Sequence, residues 1–394
     1  MPEPELHAAK KGLDSARILA NARALVPAIL EARDTIESER RLPEALVEKM
    51  SQAGIFRMAM PRAWGGPEMN PIEQIELIET LARADASTAW CASILSDSGF
   101  YAGFLEDEPG HKLFPQLDAR CAGMLAPVGR AEIVEGGYRV SGHWSFGSGC
   151  LHATHMIGGC VLLRGGKPVL GDSGMPLWRV MIFSPSDAEI LDTWYTTGLA
   201  GSGSNDYRVK DIFVAEEHTF DVLSSPRRSE ALYRYHGFFF ANVPGVPLGI
   251  GQAALDATRE LAGEKISFPT YKLLRDDPAV QIQFAEAQAT FEASRAYVMD
   301  VMGTAWQTLL GGDPLSLEER TRIGLCVIHA GRSAQHVVDL ACQIAGSSAL
   351  YRKSPLERLR RDMIAVNSHL VHQTKTYAAA GRMLLGADGM PSFF

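Results

Sequence analysis

The apolar residues in the first third of the chain recur at helical spacing. From Asp14 to about Arg62 they fall three or four residues apart, which predicts two amphipathic helices. Prolines and glycines between Pro61 and Pro71 interrupt the pattern, and Pro71 then begins a stretch rich in Ala, Leu and Ile that runs to about Leu105. The first third is therefore predicted to be helical.

The pattern changes in the middle of the chain, between Cys121 and about Phe220, to short runs rich in Val, Ile and Phe. These runs are Glu132 to Val140, His155 to Leu163, Trp178 to Phe183 and Val209 to Val214, and turn signals containing glycine separate them. Helical periodicity returns after Pro244 in four stretches, at about 247–264, 278–310, 316–346 and 355–385. This order predicts a mainly α protein with an inserted β domain, whose last helices form a bundle.

Composition narrows the functional classes. The chain has 394 residues, of which 46% are apolar and 21% charged, as in an ordinary globular protein. A net charge of −8 gives no reason to bind the phosphate backbone of a nucleic acid. No apolar run approaches the roughly 20 residues that cross a bilayer, and the N-terminal sequence lacks an apolar export segment, so we expect a cytoplasmic protein with no membrane partner.

Metal and disulfide sites are not expected either. The six cysteines are scattered without a CxxC pair, and their ordinary interpretation is reduced, mostly buried thiols. Two HxxH pairs, His152 with His155 and His369 with His372, lack a third ligand at helical spacing. We therefore predict no bound metal.

Several strings, in order along the chain, carry a resemblance. They are Gly54 to Glu68, Asp85 to Trp90, Val140 to Cys150, Gly198 to Asp206, Asp277 to Gln281, and Ala345 to Pro355 followed by Arg361-Asp362. Together they resemble the acyl-CoA dehydrogenase superfamily, and the third and fourth are similar to its group D branch, the two-component flavin-dependent monooxygenases. The resemblance covers nearly the whole chain.

The resemblance implies a fold and an activity. The expected fold is an N-terminal helical domain (1–119), a central β-barrel domain (120–222) and a C-terminal four-helix bundle (223–394), assembled as a homotetramer. The expected enzyme is an oxygenase component that uses reduced FMN or FAD and O₂ to hydroxylate a phenolic or polycyclic aromatic substrate through a C4a-hydroperoxyflavin. A separate NAD(P)H-dependent flavin reductase would supply the reduced flavin.

The flavin contacts are expected in the loop around Ser148. The resemblance places this serine beside flavin N5, where a hydroxyl could hold the N5 proton, and it makes Trp144, Ser145 and Phe146 further cofactor contacts. The alternative is that these residues form only a tight turn between strands. The glycine-rich segment 198–205 could bring backbone amides close to a ligand, or it could be a plain hairpin turn.

A histidine is expected to prepare the substrate. His369, seven residues after Asp362, sits where the resemblance places an active-site histidine, and a base with a pKa near neutral would convert a phenol to its phenolate. His372 lies one helical turn further, on the same predicted face. The alternative for either residue is a histidine satisfied within the bundle.

Other contacts are assigned from residue type. Trp90, Ser96, Asp97 and Phe239 are candidate substrate contacts, because a few polar groups among aromatic walls suit a flat ring, although such clusters also form cores. The resemblance places a phosphate-binding arginine at the position of Ser267, where Lys265 or Lys272 could substitute for it. Arg352 or Arg358 could contribute a phosphate contact across a subunit boundary, and surface ion pairing is the alternative for all four.

Three other functions compete with this one. A dehydrogenase with tightly bound FAD would need a glutamate base, but the matching segments, 235–244 and 367–372, contain no carboxylate. An N- or S-oxygenase would use the same flavin chemistry without a phenolate. A flavoprotein that binds DNA is opposed by the acidic charge. The string Gly249 to Ala254 fits the GxGxxA pattern of nicotinamide-binding folds, but it follows no clear strand.

Overall fold

The computed structural model describes residues 13–387. Its helices are α1 Ser15–Glu39, α2 Glu44–Gln52, α3 Pro71–Ala84, α4 Ala86–Leu95, α5 Ser98–Tyr101, α6 Asp107–Leu113, α7 Gly245–Glu264, α8 Pro278–Leu310, α9 Leu317–Ala345, α10 Pro355–Asn367 and α11 Lys375–Leu384. Its strands are β1 Cys121–Val134, β2 Gly137–Gly147, β3 His155–Arg164, β4 Lys167–Pro168, β5 Trp178–Phe183, β6 Glu189–Leu191, β7 Asn205–Ala215, β8 Thr219–Phe220, β9 Ile266–Ser267 and β10 Lys272–Leu273. The helix-rich, strand-rich, helix-rich order is confirmed.

Capping residues explain where several helices begin. The Asp14 side chain accepts a hydrogen bond from the Arg17 amide at the start of α1. The α9 helix starts with a capping box, in which Ser316 and Glu319 each accept from the other's backbone amide. These short-range signals are present in the sequence, which is why the helix starts were predictable.

Three predicted elements are wrong in their extent. The run Glu132 to Val140 is the end of β1, a two-residue turn and the start of β2. The stretch from Ile72 to Leu105 is broken at Asp85, whose side chain accepts from the Thr88 amide at the start of α4. The stretch 355–385 stops at Asn367, because a short 3-10 turn, Leu370–His372, separates α10 from α11.

The strands form one eight-stranded sheet with the order β6-β7-β2-β1-β3-β5-β8, and β4 pairs with β3. Most neighbours are antiparallel, as in β2 with β7, where Val140 lies opposite Ile212. The β1 and β3 strands are parallel, with Ala122 opposite Met156. The sheet thereby sets the position of the segment that follows β2, which contains Ser148.

The chain divides into two compact units. The first holds the described residues up to Asn70, together with Trp90–Tyr195 and Ala200–Arg234, and it contains the eight-stranded sheet. The second holds Pro71–Ala89, Thr196–Leu199 and the described residues from Tyr235 onward, and it contains the long C-terminal helices. The predicted division at 119/120 and 222/223 stays a prediction.

Close helix packing explains the GxGxxA string. The string Gly249 to Ala254 lies inside α7, where a Cβ on Gly249 would come within 2.5 Å of the Ala82 Cβ in α3. One turn earlier in α7, a Cβ on Gly245 would come within 2.7 Å of the Ile75 carbonyl oxygen. The glycines thus let two helix backbones approach each other. The stretch His236–Glu264, which includes α7, is the one described helix long and apolar enough to be compared with a membrane span, but 78% of its apolar window is buried, as in a core helix.

Candidate functional site

The end of β2 and the residues that follow it form a strained turn held by backbone hydrogen bonds. Phe146 has a φ of 64°, a left-handed conformation that side chains with a Cβ rarely adopt, and Gly149 has a φ of 71°. The Gly149 amide donates to the Ser202 carbonyl oxygen at 2.8 Å. A Cβ at Gly149 would lie 2.9 Å from the Leu95 side chain, so this position has no room for another residue. The turn therefore fixes the backbone on either side of Ser148.

The Ser148 hydroxyl is buried and hydrogen-bonded in the first unit. The side chain is 6% exposed. Its Oγ accepts from the Trp90 indole nitrogen at 3.0 Å and lies 2.7 Å from the Ser204 Oγ. A hydroxyl donates one hydrogen bond and accepts two, so two bonds leave one capacity open. A buried hydroxyl with an open capacity is a feature that suits a polar ligand atom.

Trp144 lies in the core of the sheet domain. The side chain is 1% exposed, its ring stacks on Tyr207 with centroids 5.3 Å apart, and its indole nitrogen donates to the Gly159 carbonyl oxygen. A Cβ at Gly129 or Gly158 would clash with the indole, so the glycines make space for it. A ring enclosed in this way serves packing, and the cofactor role of Trp144 stays a prediction.

Phe146 differs from Trp144 in being accessible. It is 59% exposed and makes an edge contact with Trp194 at a centroid distance of 6.2 Å. Ser145 beside it is half-buried. The strained backbone thus presents an aromatic ring at the surface of the first unit. Holding an apolar ring in water at a strained position is unfavourable unless it packs against another group.

The glycine-rich segment forms more than a hairpin turn. Ala200–Ser202 is a short 3-10 turn, and Asn205 then begins β7. The Asn205 side-chain oxygen accepts from the amides of Thr193 and Trp194, both at 3.0 Å. Ser202 and Ser204 point inward and are 1% and 3% exposed. The segment therefore supplies buried hydroxyls, and the approach of its backbone amides to a ligand stays a prediction.

Ser96 and Asp97 are buried just after α4. The Ser96 hydroxyl donates to the Ser93 carbonyl oxygen at 2.9 Å, so it caps its own helix. Burial raises the pKa of the Asp97 carboxyl well above its usual range. A raised pKa favours the protonated carboxyl, which can donate a hydrogen bond.

His369 lies in the second unit, immediately after the end of α10. Its ring is near that of Phe240, with centroids 6.3 Å apart. Burial lowers the pKa of His369 to about 4, so the expectation of a pKa near neutral differs from the structure because the imidazolium would lose its hydration. The imidazole is neutral at pH 7 and able to accept a hydrogen bond.

The periodicity predicted that His372 shares a helical face with His369, and this prediction is wrong. The α10 helix ends at Asn367, before both residues, and the His369 backbone is extended with a ψ of 149°. A 3-10 turn then contains His372, which is fully buried whereas His369 is half-buried. Burial lowers the pKa of His372 to about 3. A Cβ at Gly331 would lie 2.7 Å from the His372 Nδ1, so the glycine gives the ring its space.

The phenylalanine cluster 238–240 contains the predicted substrate contact Phe239, whose role stays a prediction. Phe238 is buried, and Phe239 and Phe240 are half-buried with their rings edge to face at 5.1 Å. The ring next to His369 belongs to Phe240, whereas the sequence favoured Phe239. The segment is a 3-10 turn, so the three neighbouring side chains point in different directions.

The Arg358 guanidinium, a predicted phosphate contact, is buried and paired with carboxylates of its own unit, and its phosphate role stays a prediction. Nη2 donates to the Asp85 Oδ2 at 2.8 Å, and Nε lies 3.9 Å from the Asp362 Oδ2, with the guanidinium-bearing side chain 9% exposed. Asp362 also accepts from the Leu199 amide at 2.7 Å. Burial and the neighbouring Asp85 raise the pKa of Asp362 to about 7.

The remaining cationic candidates are mixed. Arg352 and Lys272 are exposed, and the phosphate role of Arg352 stays a prediction. Lys265 donates to the Ala345 carbonyl oxygen at 2.8 Å and to the Ser348 hydroxyl at 2.9 Å, so it holds the loop after α9. Within residues 13–387 there is no group of three or more His, Cys, Asp or Glu side chains that could hold a metal ion.

Comparison with known proteins identifies the family. The model of the acyl-CoA dehydrogenase N-terminal domain matches residues 14–106, and that of the C-terminal domain matches 243–374. The chain is 32% identical to indole-3-acetate monooxygenase of Pseudomonas putida over 91% of this chain and 90% of that protein. The chain belongs to the flavin-dependent monooxygenases of the acyl-CoA dehydrogenase superfamily.

Two further relatives agree with this family. The oxygenase component of the FADH₂-dependent resorcinol hydroxylase of a Rhizobium species is 29% identical over 90% of this chain and 89% of that protein. The crystal structure of the HsaA monooxygenase from Mycobacterium tuberculosis superposes with a TM-score of 0.87 at 25% identity, covering 97% of this chain and 100% of that chain. The predicted fold class, the monooxygenase activity and the dependence on reduced flavin are confirmed.

The residues of the first unit fit a flavin at Ser148. A flavin ring offers N5 as a hydrogen-bonding atom and an apolar face for packing. The open capacity of the buried Ser148 hydroxyl and the exposed Phe146 ring supply both kinds of contact.

The sequence did not mark Ser202, Ser204 or Phe240 as site residues. It gave Trp90 a substrate role, although the Trp90 indole N–H donates to Ser148.

Proposed function

We propose that the protein is the oxygenase component of a two-component monooxygenase that hydroxylates a phenolic or polycyclic aromatic substrate with reduced flavin and O₂. The observation that carries the proposal is the buried Ser148 hydroxyl, which keeps one open hydrogen-bonding capacity in a chain related along its length to such enzymes. Reduced flavin bound at this serine would supply activated oxygen, and the protein must supply the binding, orientation and exclusion of water.

Ser148 is proposed to hold the proton at flavin N5. Its Oγ is fixed on one side by the Trp90 indole N–H, which can only donate. This bond fixes the position of the oxygen, while the O–H can still rotate. The Phe146 ring is proposed to cover an edge of the flavin, which would explain why an aromatic residue is kept exposed at a left-handed φ. Ser145 is the adjacent candidate contact.

His369 is proposed to act on the substrate hydroxyl. With a pKa of about 4 its imidazole is unprotonated across the physiological range, so it is always ready to accept a hydrogen bond from a phenol. Phe240 lies against its ring, and an aromatic neighbour suits a flat substrate. Asp97 of the first unit, where burial favours the protonated carboxyl, is proposed to donate a hydrogen bond to a polar substituent of the substrate.

The low pKa of His369 favours a second candidate substrate class. A free base of this strength accepts a hydrogen bond readily but takes a full proton from a phenol poorly. An electron-rich ring such as an indole needs no ionisation, and the Pseudomonas putida relative is named for indole-3-acetate. The protein would then oxidise a neutral heteroaromatic ring, and His369 would orient a ring N–H.

Partners follow from the cofactor supply. We propose that a separate NAD(P)H-dependent flavin reductase provides the reduced FMN or FAD, that the chain forms a homotetramer in the cytoplasm, and that Arg352 contacts the flavin phosphate. The exposed guanidinium of Arg352 follows the 3-10 turn Gly346–Leu350, where it is accessible to an anion.

The test uses purified protein and a flavin reduced chemically, so that no reductase is needed. The protein is supplied with reduced FMN or FADH₂, O₂ and a panel containing resorcinol, a two-ring phenol and indole-3-acetate, and the products are identified by mass spectrometry. We expect one product with one oxygen atom from ¹⁸O₂. Oxidised flavin and hydrogen peroxide as the only products from every compound would contradict the proposed function.

His369→Asn separates the two substrate classes. If the substrate is a phenol that ionises, the substitution lowers kcat by about 100-fold or more, since general base catalysis contributes about that much. If the substrate is a neutral heteroaromatic, kcat changes little and KM rises. The two outcomes differ in which parameter changes, so the assay distinguishes them.

A further inference from the structure

A chain of three hydroxyl groups ends at Ser148. The Ser202 Oγ lies 2.7 Å from the Ser204 Oγ, which lies 2.7 Å from the Ser148 Oγ. All three side chains are buried, at 1%, 3% and 6% exposure, and all belong to the first unit. Either oxygen of each pair can be the donor. The three O–H groups can therefore all point toward Ser202 or all point toward Ser148.

Counting hydrogen bonds shows what each direction does to Ser148. The Trp90 indole N–H always occupies one of its two lone pairs. If Ser148 donates to Ser204 and Ser204 to Ser202, the second lone pair of Ser148 is open. If the protons point the other way, Ser148 accepts from both neighbours and its own proton is open. The same hydroxyl can thus present an acceptor or a donor.

The two redox states of a flavin need opposite partners at N5. Reduced flavin carries a proton on N5 and requires an acceptor, whereas oxidised flavin has a lone pair there and requires a donor. With reduced flavin, a Ser148 whose only partners were N5 and Trp90 would accept two hydrogen bonds and leave its own proton without an acceptor. Buried polar groups left unpaired are unfavourable, so the partners of Ser148 decide which state is bound well.

We propose that Ser204, supported by Ser202, is a positioning residue that lets the Ser148 hydroxyl accept from N5 of reduced flavin and donate to N5 of oxidised flavin. The inference rests on the proposed function, in which Ser148 contacts N5. Only the three O–H bonds rotate, and each oxygen keeps its own proton, so no covalent bond is formed or broken. The site thereby tolerates both the incoming and the outgoing cofactor.

Ser204→Ala changes the two affinities unequally. With oxidised flavin, Ser148 in the variant still donates to N5 and accepts from Trp90, so its own proton stays paired. The Ser202 hydroxyl loses its Ser204 partner in both redox states. With reduced flavin, Ser148 accepts from N5 and Trp90, and its own proton has lost its acceptor. An unsatisfied buried donor shifts an equilibrium constant by about fivefold to about 100-fold, so reduced flavin should bind that much more weakly.

The experiment measures the dissociation constants of reduced and oxidised FMN by anaerobic and aerobic titration of the full-length protein. Wild type is compared with Ser204→Ala, Ser204→Thr, Ser148→Ala and the Ser148→Ala/Ser204→Ala double variant. Ser51→Ala is the matched control, because it removes another hydroxyl of the first unit, which donates to Asp118 at 2.7 Å. Circular dichroism and thermal unfolding verify that each variant folds.

The expected result is a selective loss of reduced-flavin affinity, of at least about fivefold, in Ser204→Ala. Ser204→Thr, which keeps the hydroxyl, should restore the wild-type ratio of the two dissociation constants, and Ser204→Ala should have no selective effect once Ser148 is alanine. Ser51→Ala should leave the ratio unchanged.

Equal weakening of both redox states in Ser204→Ala, or a selective effect that persists in the double variant, would overturn the inference. The same holds if Ser148→Ala changes neither affinity, although the protein would then still bind flavin and the proposed function would stand. A wild-type protein that binds no reduced flavin overturns both.

Discussion

Removing the Arg358 guanidinium should destabilise the protein strongly and in a pH-dependent way. Arg358→Met keeps the length of the side chain but leaves the carboxyls of Asp85 and Asp362, with side chains 1% and 5% exposed, without their shared cation. Breaking a buried ion pair by removing one partner costs about 3–5 kcal/mol, because the remaining charge keeps its desolvation penalty. We expect a loss of this size at pH 8.

The pH dependence follows from Asp362. Its pKa of about 7 in the folded protein lies above the unfolded value, so the native state binds more protons and stability falls as pH rises toward 7. For wild type this amounts to about 1 kcal/mol between pH 6 and pH 8. In Arg358→Met the pKa of Asp362 rises further, because its carboxylate has lost the cation. Protonating Asp362 at pH 6 therefore raises the free energy of unfolding more in the variant than in wild type. The difference between the two proteins should shrink by about 1 kcal/mol at pH 6.

Urea unfolding followed by circular dichroism at pH 6 and pH 8 measures both effects. Arg360→Met is the matched control on the same helix, because its guanidinium is 55% exposed and lies 3.7 Å from Asp339, a surface pair worth about 0–1 kcal/mol. Arg358→Lys should rescue only part of the loss, since an ammonium cannot reproduce the geometry of a guanidinium. A loss below about 1 kcal/mol at pH 8, or equal losses at the two pH values, would refute the reasoning.

Four further predictions follow from the same structure. Asp362→Asn should flatten the stability profile between pH 6 and pH 8, and an unchanged slope in urea unfolding would rule out Asp362 as its source. Gly331→Ala places a Cβ 2.4 Å from the Asn367 Oδ1, so thermal unfolding should show a loss of about 1–3 kcal/mol from overpacking, and wild-type stability would count against that clash. Trp144→Ala should cost about 3–5 kcal/mol in urea unfolding, with wild-type stability showing that the ring is not core packing. Because His369 has a pKa of about 4, a phenol hydroxylation rate should stay flat as pH falls from 8 to 6, and a decline centred near pH 6.5 would contradict the buried environment.

Local signals explain which parts of the fold were predictable. Helical periodicity and caps such as Asp14 and Ser316 act within a few residues, so the sequence contains them in full. The break between Asn367 and Lys375 was missed because its residues continue the apolar period while the backbone adopts a 3-10 turn. A single sequence gives the spacing of side chains and not the conformation that a packed neighbour imposes.

The candidate site was predictable only where a motif marks it. Ser148 and His369 stand in strings that resemble the family, so they were found. The partners of Ser148 are 58 and 56 residues away along the chain, and the partner of Arg358 is 273 residues away, and no local pattern connects them. Arg358 was therefore assigned to a ligand although a buried aspartate holds it.

The central claim is that the Ser148 hydroxyl holds the N5 proton of the bound flavin. The direct measurement loads the protein with reduced FMN, mixes it with O₂ in the absence of substrate, and times the appearance of oxidised flavin and hydrogen peroxide in wild type, Ser148→Ala and Ser141→Ala. Ser141 lies on the same strand, where its hydroxyl accepts from the Asp211 amide, and it serves as the control. We predict a delay in wild type and Ser141→Ala. In Ser148→Ala this delay should be at least about tenfold shorter, as expected for the loss of one hydrogen bond to the N5 proton. Equal delays in wild type and Ser148→Ala would contradict the claim.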